Sequence, residues 1–202
     1  MDFSVEGIIQ ALEERPQLRP GAAVLVPLVE TVEGLAVVLE VRAHTLSVQP
    51  GEVCLPGGGI EPGETPRSAA IRETCEELLV SAAQIDILGE LGAFDGPGGR
   101  TLFAYVAELR DYHGTFSPDE VDRTFTIPLR WLVDHEPETH LVSLEPHYPT
   151  DYPWELVPGG KGYPWRARTS EVPFYRGTEP PVWGATARVL MHFAAVLRRT
   201  RG

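Results

Sequence analysis

Short hydrophobic segments, separated by glycine, proline and acidic residues, make up most of the chain. Runs of about four to eight residues that are rich in valine, leucine and isoleucine and end at turn signals are typical of β-strands. Such segments predict strands at residues 22–29, 35–41, 53–55, 85–91, 101–109, 121–127, 171–176 and 181–183. The first two are joined by a turn at Glu33-Gly34 and therefore predict a β-hairpin.

Further segments have a helical pattern of hydrophobic positions. The predicted helices lie at residues 5–15, 65–79, 128–134 and 184–200. Because helices precede, separate and follow strands of mixed order, the sequence predicts an α/β fold, an α/β/α sandwich around a mixed β-sheet. No internal repeat divides the chain, so residues 1–202 are expected to form a single domain.

Residues 136–173 fit neither pattern. This segment is rich in proline, glycine, tyrosine and tryptophan. A long segment without a regular pattern is usually functional or disordered, and the aromatic content argues against disorder. We therefore predict an irregular aromatic insertion, whose side chains could stack on a substrate, form a dimer contact or pack on the loop itself.

The predicted helix at residues 65–79 carries an unusual arrangement of charge. Thr65 is its predicted N-cap. Glu73 and Glu77 are four residues apart and share one face, with Glu76 beside them. Like charges at this spacing cost about 0.2–0.5 kcal/mol per pair, and the helix dipole disfavours anions in the C-terminal half. Three carboxylates beside a glycine run therefore predict a bound cation that prefers oxygen ligands, Mg²⁺ or Mn²⁺.

The spacing around this helix resembles the Nudix box, Gly-x5-Glu-x7-Arg-Glu-U-x-Glu-Glu-x-Gly-U, where U is aliphatic. The matching residues are Gly58, Glu64, Arg72, Glu73, Glu76, Glu77 and Val80. Thr74 stands at an aliphatic position and Leu79 at the last glycine, so the helix is expected to end without the usual glycine C-cap. The resemblance implies the Nudix-type sandwich and the metal-dependent hydrolysis of a nucleoside diphosphate derivative.

The resemblance also implies roles for the charged residues of the motif. Glu73 and Glu77 would be the principal metal ligands, and Glu76 would be a further ligand or the base that activates water. Arg72 and Glu64 belong to the same catalytic motif, where bracing of loop and helix by an ion pair is their better supported role.

The water-activating base is left open between two places. Some Nudix enzymes take it from the box, which here means Glu76, and others take it from a later loop. Asp119 or Glu120 could serve in that second role, although a solvated acidic turn is the favoured interpretation of both.

The run upstream of the box resembles the coenzyme A pyrophosphatase branch, whose pattern is LLTxR[SA]x3Rx3Gx3FPGG. The residues that keep this pattern are Arg42, Ala43, Gly51, Pro56, Gly57 and Gly58, and those that depart from it are Glu40, Ser47 and Leu55. Arg42 could hold a phosphate bidentately next to Gly57 and Gly58, or form a salt bridge at the rim. Ser47 replaces an arginine that could read the phosphates of coenzyme A.

Three functions follow from these resemblances. The leading hypothesis is cleavage of the pyrophosphate of coenzyme A or its acyl derivatives, giving 3′,5′-ADP and (acyl-)phosphopantetheine. The alternatives are a pyrophosphatase for ADP-ribose, a dinucleotide or a related compound, and a non-catalytic ligand sensor. The glutamates argue against the sensor, because binding alone gives no reason for charges that destabilise the helix.

Composition limits the partners. The formal net charge is −12 and no basic stripe is present, which argues against nucleic-acid binding. No apolar run has the length of a membrane helix and the N-terminus lacks a signal-type pattern, so we expect a cytoplasmic protein without a membrane partner. Cys54 and Cys75 are expected as small apolar fillers, not as a disulfide framework. The expected partner is a small nucleoside diphosphate substrate, and a homodimer is allowed.

Overall fold

The computed structural model describes Ser4, residues 21–165 and residues 168–199. The helix predicted at residues 5–15 lies outside the described residues. The strands are β1 (Ala22–Thr31), β2 (Gly34–Arg42), β3 (Val53–Cys54), β4 (Gly57–Gly59), β5 (Ile85–Asp95), β6 (Thr101–Leu109), β7 (Val121–Pro128), β8 (Glu138–Leu144), β9 (Arg168–Tyr175) and β10 (Val182–Trp183). The α-helices are α1 (Pro66–Leu78), α2 (Leu129–Asp134) and α3 (Gly184–Arg199).

Strand β1 is the centre of the main sheet. It pairs antiparallel with β2, as the predicted hairpin requires, and parallel with β6, so the sheet is mixed. The strand order is β3-β2-β1-β6-β5, with β7 paired to β2 and β4 paired to β1. Most of β1 is buried, which explains why its sequence is almost continuously apolar instead of alternating.

Helices cover both faces of this sheet. Alternate residues of β1 point to opposite sides, because side chains in a strand have a period of two. Ala23 and Leu25 belong to the apolar cluster that includes residues of α1, whereas Val24 and Val26 belong to the cluster that includes residues of α3. This arrangement confirms the predicted α/β/α sandwich.

A second sheet has the order β10-β9-β8. The prediction that residues 136–173 are irregular is therefore wrong at both ends of that segment, which form β8 and most of β9. All residues of β8 are exposed, so the strand has no buried face and gives no alternating pattern of hydrophobic positions. It is held by pairing with β9, from Glu138 opposite Phe174 to Leu144 opposite Arg168.

Helix α1 begins as predicted. The Thr65 side chain accepts a hydrogen bond from the Ser68 N–H at 3.1 Å, and the Ser68 hydroxyl accepts one from the Thr65 N–H at 3.0 Å. These reciprocal bonds satisfy two donors at the helix start. Thr74, at the position where the family pattern has an aliphatic residue, is buried and donates to the Ala70 carbonyl at 2.7 Å.

The end of α1 has the conformation that a glycine would supply, although the residue is leucine. Leu79 lies in the left-handed region, with φ 52° and ψ 46°. This conformation costs a residue with a Cβ roughly 1–2 kcal/mol. The expectation that the helix ends differently is therefore wrong for the backbone, and only the residue type departs from the family pattern.

We expect the free energy of unfolding of Leu79→Gly to exceed that of Leu79→Ala by about 1 kcal/mol. Both variants remove the same leucine side chain, which is 58% exposed, so their difference isolates the left-handed backbone. Urea denaturation of the two variants measures it. Equal stabilities, or a more stable alanine variant, would contradict this account of the helix end.

Candidate active site

The glycine run is held against the sheet, next to α1. Strand β4 pairs antiparallel with the beginning of β1, with Ala23 opposite Gly58 and Val24 opposite Gly57. The Leu25 N–H also donates to the Pro56 carbonyl at 2.9 Å. This short strand fixes the backbone of residues 57–59 beside the helix that carries the glutamates.

Gly57 and Gly58 each leave no room for a side chain, but the group that lies too close is different for the two residues. A Cβ on Gly57, which has φ 148°, would lie 2.2 Å from the Ala23 carbonyl oxygen. A Cβ on Gly58 would lie 2.3 Å from Cδ of Glu73. Gly57 therefore allows the strand to pair, and Gly58 allows a carboxyl group of α1 to pack directly on the strand.

Arg72 joins the loop to the helix through all three nitrogens of its guanidinium. Nε and Nη2 donate to the two carboxylate oxygens of Glu64, each at 3.1 Å, and Nη2 also donates to the Gly59 carbonyl at 3.0 Å. Nη1 donates to Glu73 Oε1 at 2.9 Å and lies 3.5 Å from Glu76 Oε2. These bonds raise the pKa of Arg72, and the guanidinium lowers the pKa of Glu64. Arg72 and Glu64 thus lie where a bracing ion pair was expected.

The three glutamates of α1 have different surroundings. Glu77 is only 3% exposed, and its Oε2 accepts a hydrogen bond from the Gly57 N–H at 2.7 Å. Burial, followed by the nearby charge of Glu40, raises the pKa of Glu77 to about 9. Burial also raises the pKa of Glu73, against the opposing effect of Arg72. The Glu76 side chain is 55% exposed and therefore open to a substrate or to water.

Glu40, which in the sequence is only a departure from a family pattern, belongs to this cluster of carboxylates. It is completely buried in β2, and its Oε1 accepts a hydrogen bond from the Cys54 thiol at 3.1 Å. Burial raises the pKa of Glu40 to about 7. The sequence signal that could have identified Glu40 is its position as an acidic residue in the otherwise apolar run from Leu35 to Val41. Cys54 is therefore more than an apolar filler, because its thiol donates a hydrogen bond to this carboxylate.

The loop before β7 brings Glu120, and not Asp119, to the glutamates. The Ser117 N–H donates to the Glu77 carbonyl at 2.8 Å, which ties this loop to the last turn of α1. The charge of Glu120 contributes to the raised pKa values of Glu40, Glu73 and Glu77. Asp119 is exposed, as a solvated turn would be.

Arg42 lies at the end of β2, two residues after Glu40. Its Nε donates to the Val48 carbonyl at 3.4 Å, and its backbone bonds to Glu52 and Gly51 close a loop over residues 42–52. The positive charge of Arg42 opposes the rise in the pKa of Glu40. The structure thus places Arg42 near the buried carboxylate and at the strand end where a phosphate contact was predicted.

Comparison with known proteins identifies this arrangement. A family model described as NUDIX domain matches residues 19–154. The chain belongs to the Nudix family. The Nudix chain is 31% identical to Nudix hydrolase 3 of Caenorhabditis elegans over 181 residues, which cover 87% of this chain and 72% of that protein. It is therefore a Nudix pyrophosphohydrolase.

Other relatives of this Nudix hydrolase carry a substrate in their names. It is 38% identical over 135 residues to peroxisomal coenzyme A diphosphatase ndx-8 of C. elegans, with 59% of this chain and 57% of the relative covered. It is 34% identical over 116 residues to peroxisomal coenzyme A diphosphatase NUDT7 of Mus musculus, with 55% and 48% covered. The chain thus spans about half the length of these two relatives. They confirm the resemblance to the coenzyme A pyrophosphatase branch.

A solved structure supports the fold of this Nudix hydrolase. A MutT/nudix family protein from Enterococcus faecalis matches with a TM-score of 0.54 and 16% identity, over 96% of this chain and 70% of that chain. Because the identity is low, this likeness concerns the fold alone.

Nudix hydrolases generally use divalent metal ions. In the described part of the chain, no three acidic, histidine or cysteine side chains are arranged as a metal-ligand set. Instead, Arg72 holds Glu73, and the Gly57 N–H holds Glu77. The donor chemistry nevertheless fits a hard divalent cation, because the cluster consists of carboxylates and the buried Oε2 of Glu40 has no hydrogen-bond partner among the described residues.

The free energy of unfolding, measured with a chelator present, should fall as the pH rises from about 5 to 9. The pKa of Glu77 is raised from its ordinary 4.5 to about 9, and that of Glu40 from 4.5 to about 7. Between these values the folded state holds protons that the unfolded state has released. Each pH unit then costs at most about 1.4 kcal/mol per group.

Thermal melts in EDTA at several pH values measure this dependence. The difference in melting temperature between Glu77→Gln and the wild type isolates the contribution of Glu77. The variant should melt increasingly above the wild type as the pH rises. A wild-type melting temperature that rises toward pH 9 relative to the variant would contradict the raised pKa.

Proposed function

We propose that this Nudix hydrolase cleaves the pyrophosphate bond of coenzyme A or its acyl derivatives, giving 3′,5′-ADP and (acyl-)phosphopantetheine. The observation that carries the proposal is the position of Arg42 on β2, two residues after Glu40, whose partner Cys54 lies three residues before the glycine strand that packs on Glu73. A cationic group at the end of β2 and a carboxylate cluster close to it suit a pyrophosphate that bridges them. The two relatives named as coenzyme A diphosphatases support this substrate class.

The carboxylates of α1 are proposed to hold Mg²⁺ or Mn²⁺. Glu73 and Glu77 would be the principal ligands, and Glu76 a further ligand. When bound, the cation would shield the phosphate oxygens and stabilise the charge that develops during hydrolysis. The Arg72–Glu64 pair would keep Glu73 pointing toward the glycine strand, because Arg72 contacts all three groups.

The proton of the attacking water is proposed to pass to a carboxylate of this cluster. Glu76 is exposed and on the box helix, so it can meet a water beside the substrate. Glu120 is the alternative on the later loop, since its charge acts on the other carboxylates, whereas Asp119 is exposed on the same turn. Comparing the kcat of Glu76→Gln and Glu120→Gln at saturating metal separates the two candidates.

A substrate panel tests the reaction. The protein is incubated with Mg²⁺ or Mn²⁺ and coenzyme A, acyl-coenzyme A, ADP-ribose or dinucleotides, and the products are identified by mass spectrometry. We expect the highest kcat/KM for coenzyme A or an acyl derivative. A preference for ADP-ribose or a dinucleotide would favour the alternative pyrophosphatase function. That alternative stays open because Ser47 replaces an arginine of the coenzyme A pyrophosphatase pattern. No turnover on any compound would favour a ligand sensor.

The site of action and the assembly are also proposals. Within residues 21–165 and 168–199, no helix is long and apolar enough to cross a bilayer. We propose a cytoplasmic location, which imaging of a tagged protein would test against the peroxisomal location in the names of two relatives. Light scattering would measure the mass in solution and so test the homodimer that the sequence allows.

A further inference from the structure

Glu40 points toward α1 from the sheet. Ala36 and Val38, which precede it at intervals of two residues, pack in the apolar cluster that contains the buried residues of α1. Because side chains alternate along a strand, Glu40 continues the same face. The series Ala36, Val38 and Glu40 therefore ends in a carboxylate at the edge of the cluster that supports the box helix.

One oxygen of this carboxylate has a protein partner and the other does not. Cys54 lies opposite Glu40 on β3, and its thiol donates to Oε1 at 3.1 Å. The second oxygen, Oε2, is buried and has no hydrogen-bond partner among the described residues. A buried carboxylate oxygen without a partner is costly, so it points to a ligand that would satisfy it.

Two acidic groups, Glu77 and Glu120, act on Glu40 through their charge, and Glu77 belongs to the proposed metal site. Gly57, three residues after Cys54, donates its N–H to Glu77 Oε2 at 2.7 Å, so the short run 54–57 contacts both carboxylates. Glu77 and Glu120 both lie close enough to Glu40 for their charges to repel it, and Arg42 is the cation that opposes this repulsion. A divalent cation between Glu40 and Glu77 would neutralise this repulsion and satisfy the free oxygen.

We propose that Glu40 is a sheet-side carboxylate of the metal centre, which holds the divalent cation together with Glu77, and that the Cys54 thiol orients it. This proposal rests on the metal site proposed for α1. A purely structural Glu40 is less consistent with the contacts, because a neutral glutamine could also accept the thiol hydrogen bond without burying a charge beside two other carboxylates.

Binding of Mn²⁺ tests the proposal without an activity assay. Isothermal titration and the electron paramagnetic resonance signal of free Mn²⁺ are measured for the wild type, Glu40→Gln, Glu77→Gln and Glu30→Gln. Glu30 is an exposed glutamate of the same sheet and serves as the matched control. We expect Glu40→Gln to bind Mn²⁺ about 10- to 100-fold more weakly, as for other groups that shape a metal site. Glu30→Gln should bind as the wild type does.

The outcomes separate this inference from the proposed function. Weak binding by Glu77→Gln with wild-type binding by Glu40→Gln would leave the box site in place and overturn the role of Glu40. Wild-type binding by both variants would overturn the box site together with this inference. Melts in EDTA check folding, and Glu40→Gln should melt at or above the wild-type temperature because it removes a buried charge.

A second pair of variants tests the orienting role of Cys54. Cys54→Ser keeps a donor for Glu40 Oε1, whereas Cys54→Ala removes it. We expect the serine variant to retain Mn²⁺ affinity and the alanine variant to lose several-fold. Equal affinities for serine, alanine and wild type would show that the thiol has no part in placing the carboxylate.

Discussion

Glu77→Gln is expected to reduce kcat/KM by about 1,000-fold or more while the protein stays folded. Glu77 is the most buried glutamate of the box, and its carboxylate is the one that bonds to the backbone of the glycine strand. A glutamine can still accept that hydrogen bond through its carbonyl oxygen, but it has no negative charge with which to hold a divalent cation. The effect should therefore fall on metal binding and turnover, not on the fold.

The stability of this variant provides an independent readout. In EDTA, Glu77→Gln should melt above the wild type at pH 8, since it removes a buried group whose charged form is disfavoured. With Mn²⁺ the order should reverse, because only the wild type gains binding energy from the ion. Glu33→Gln, in the exposed turn between β1 and β2, is the matched control and should behave as the wild type in both tests. Retained turnover in Glu77→Gln would reject the metal assignment.

Local sequence signals predicted the box helix, and the family resemblance added its ion pair. Thr65 caps α1 through hydrogen bonds to Ser68, three residues later. Arg72 binds Glu64, which lies eight residues earlier in the same segment. The cap lies within a short stretch, so local spacing predicts it, whereas the ion pair was expected from the resemblance to the Nudix box. The hairpin of β1 and β2 was predictable for the same reason, because its two apolar runs flank a single turn.

The contacts that the sequence did not reveal join distant segments. Glu40 acquires its proposed role only when β2 pairs with β3 and the sheet packs on α1, which places the carboxylate opposite Cys54 and close enough to Glu77 for the two charges to repel. Glu120 reaches the same cluster because the loop before β7 bonds to the last turn of α1. In each case the residue type was visible, but the partner was set by the sheet topology. Strand β8 was missed for another reason, since it has no buried face.

These long-range contacts also change how the departures from the family pattern are interpreted. Leu79 takes the left-handed conformation even without a glycine, and the loop that carries Glu120 contacts the carbonyls just before it. Thr115 donates to the Leu78 carbonyl at 2.6 Å, and the Ser117 N–H donates to the Glu77 carbonyl at 2.8 Å. The later loop therefore supplies hydrogen bonds that a helix end otherwise lacks, and it couples Glu120 to the position of Glu77.

Gly58→Ala is expected to lower kcat/KM by about 100-fold or more with little loss of stability. The new Cβ would lie 2.3 Å from Cδ of Glu73 and 2.5 Å from its Oε2, which is too close for the present arrangement. The atoms in its way form the end of a flexible side chain, so Glu73 can rotate away at a modest cost. That rotation would move a proposed metal ligand away from the glycine strand and weaken its 2.9 Å bond to Arg72.

Gly57→Ala is the matched comparison, because it adds the same methyl group one residue earlier in the same strand. There the Cβ would lie 2.2 Å from the Ala23 carbonyl oxygen and 2.6 Å from the Val24 Cα, and the residue has φ 148°. Backbone atoms of a central strand cannot rotate away, so we expect a loss of about 3 kcal/mol or more in the free energy of unfolding. Urea denaturation and Mn²⁺ titration of both variants distinguish the two effects. A stable Gly57→Ala, or a Gly58→Ala with full Mn²⁺ affinity and turnover, would contradict the division between a glycine that lets the sheet pair and one that positions Glu73.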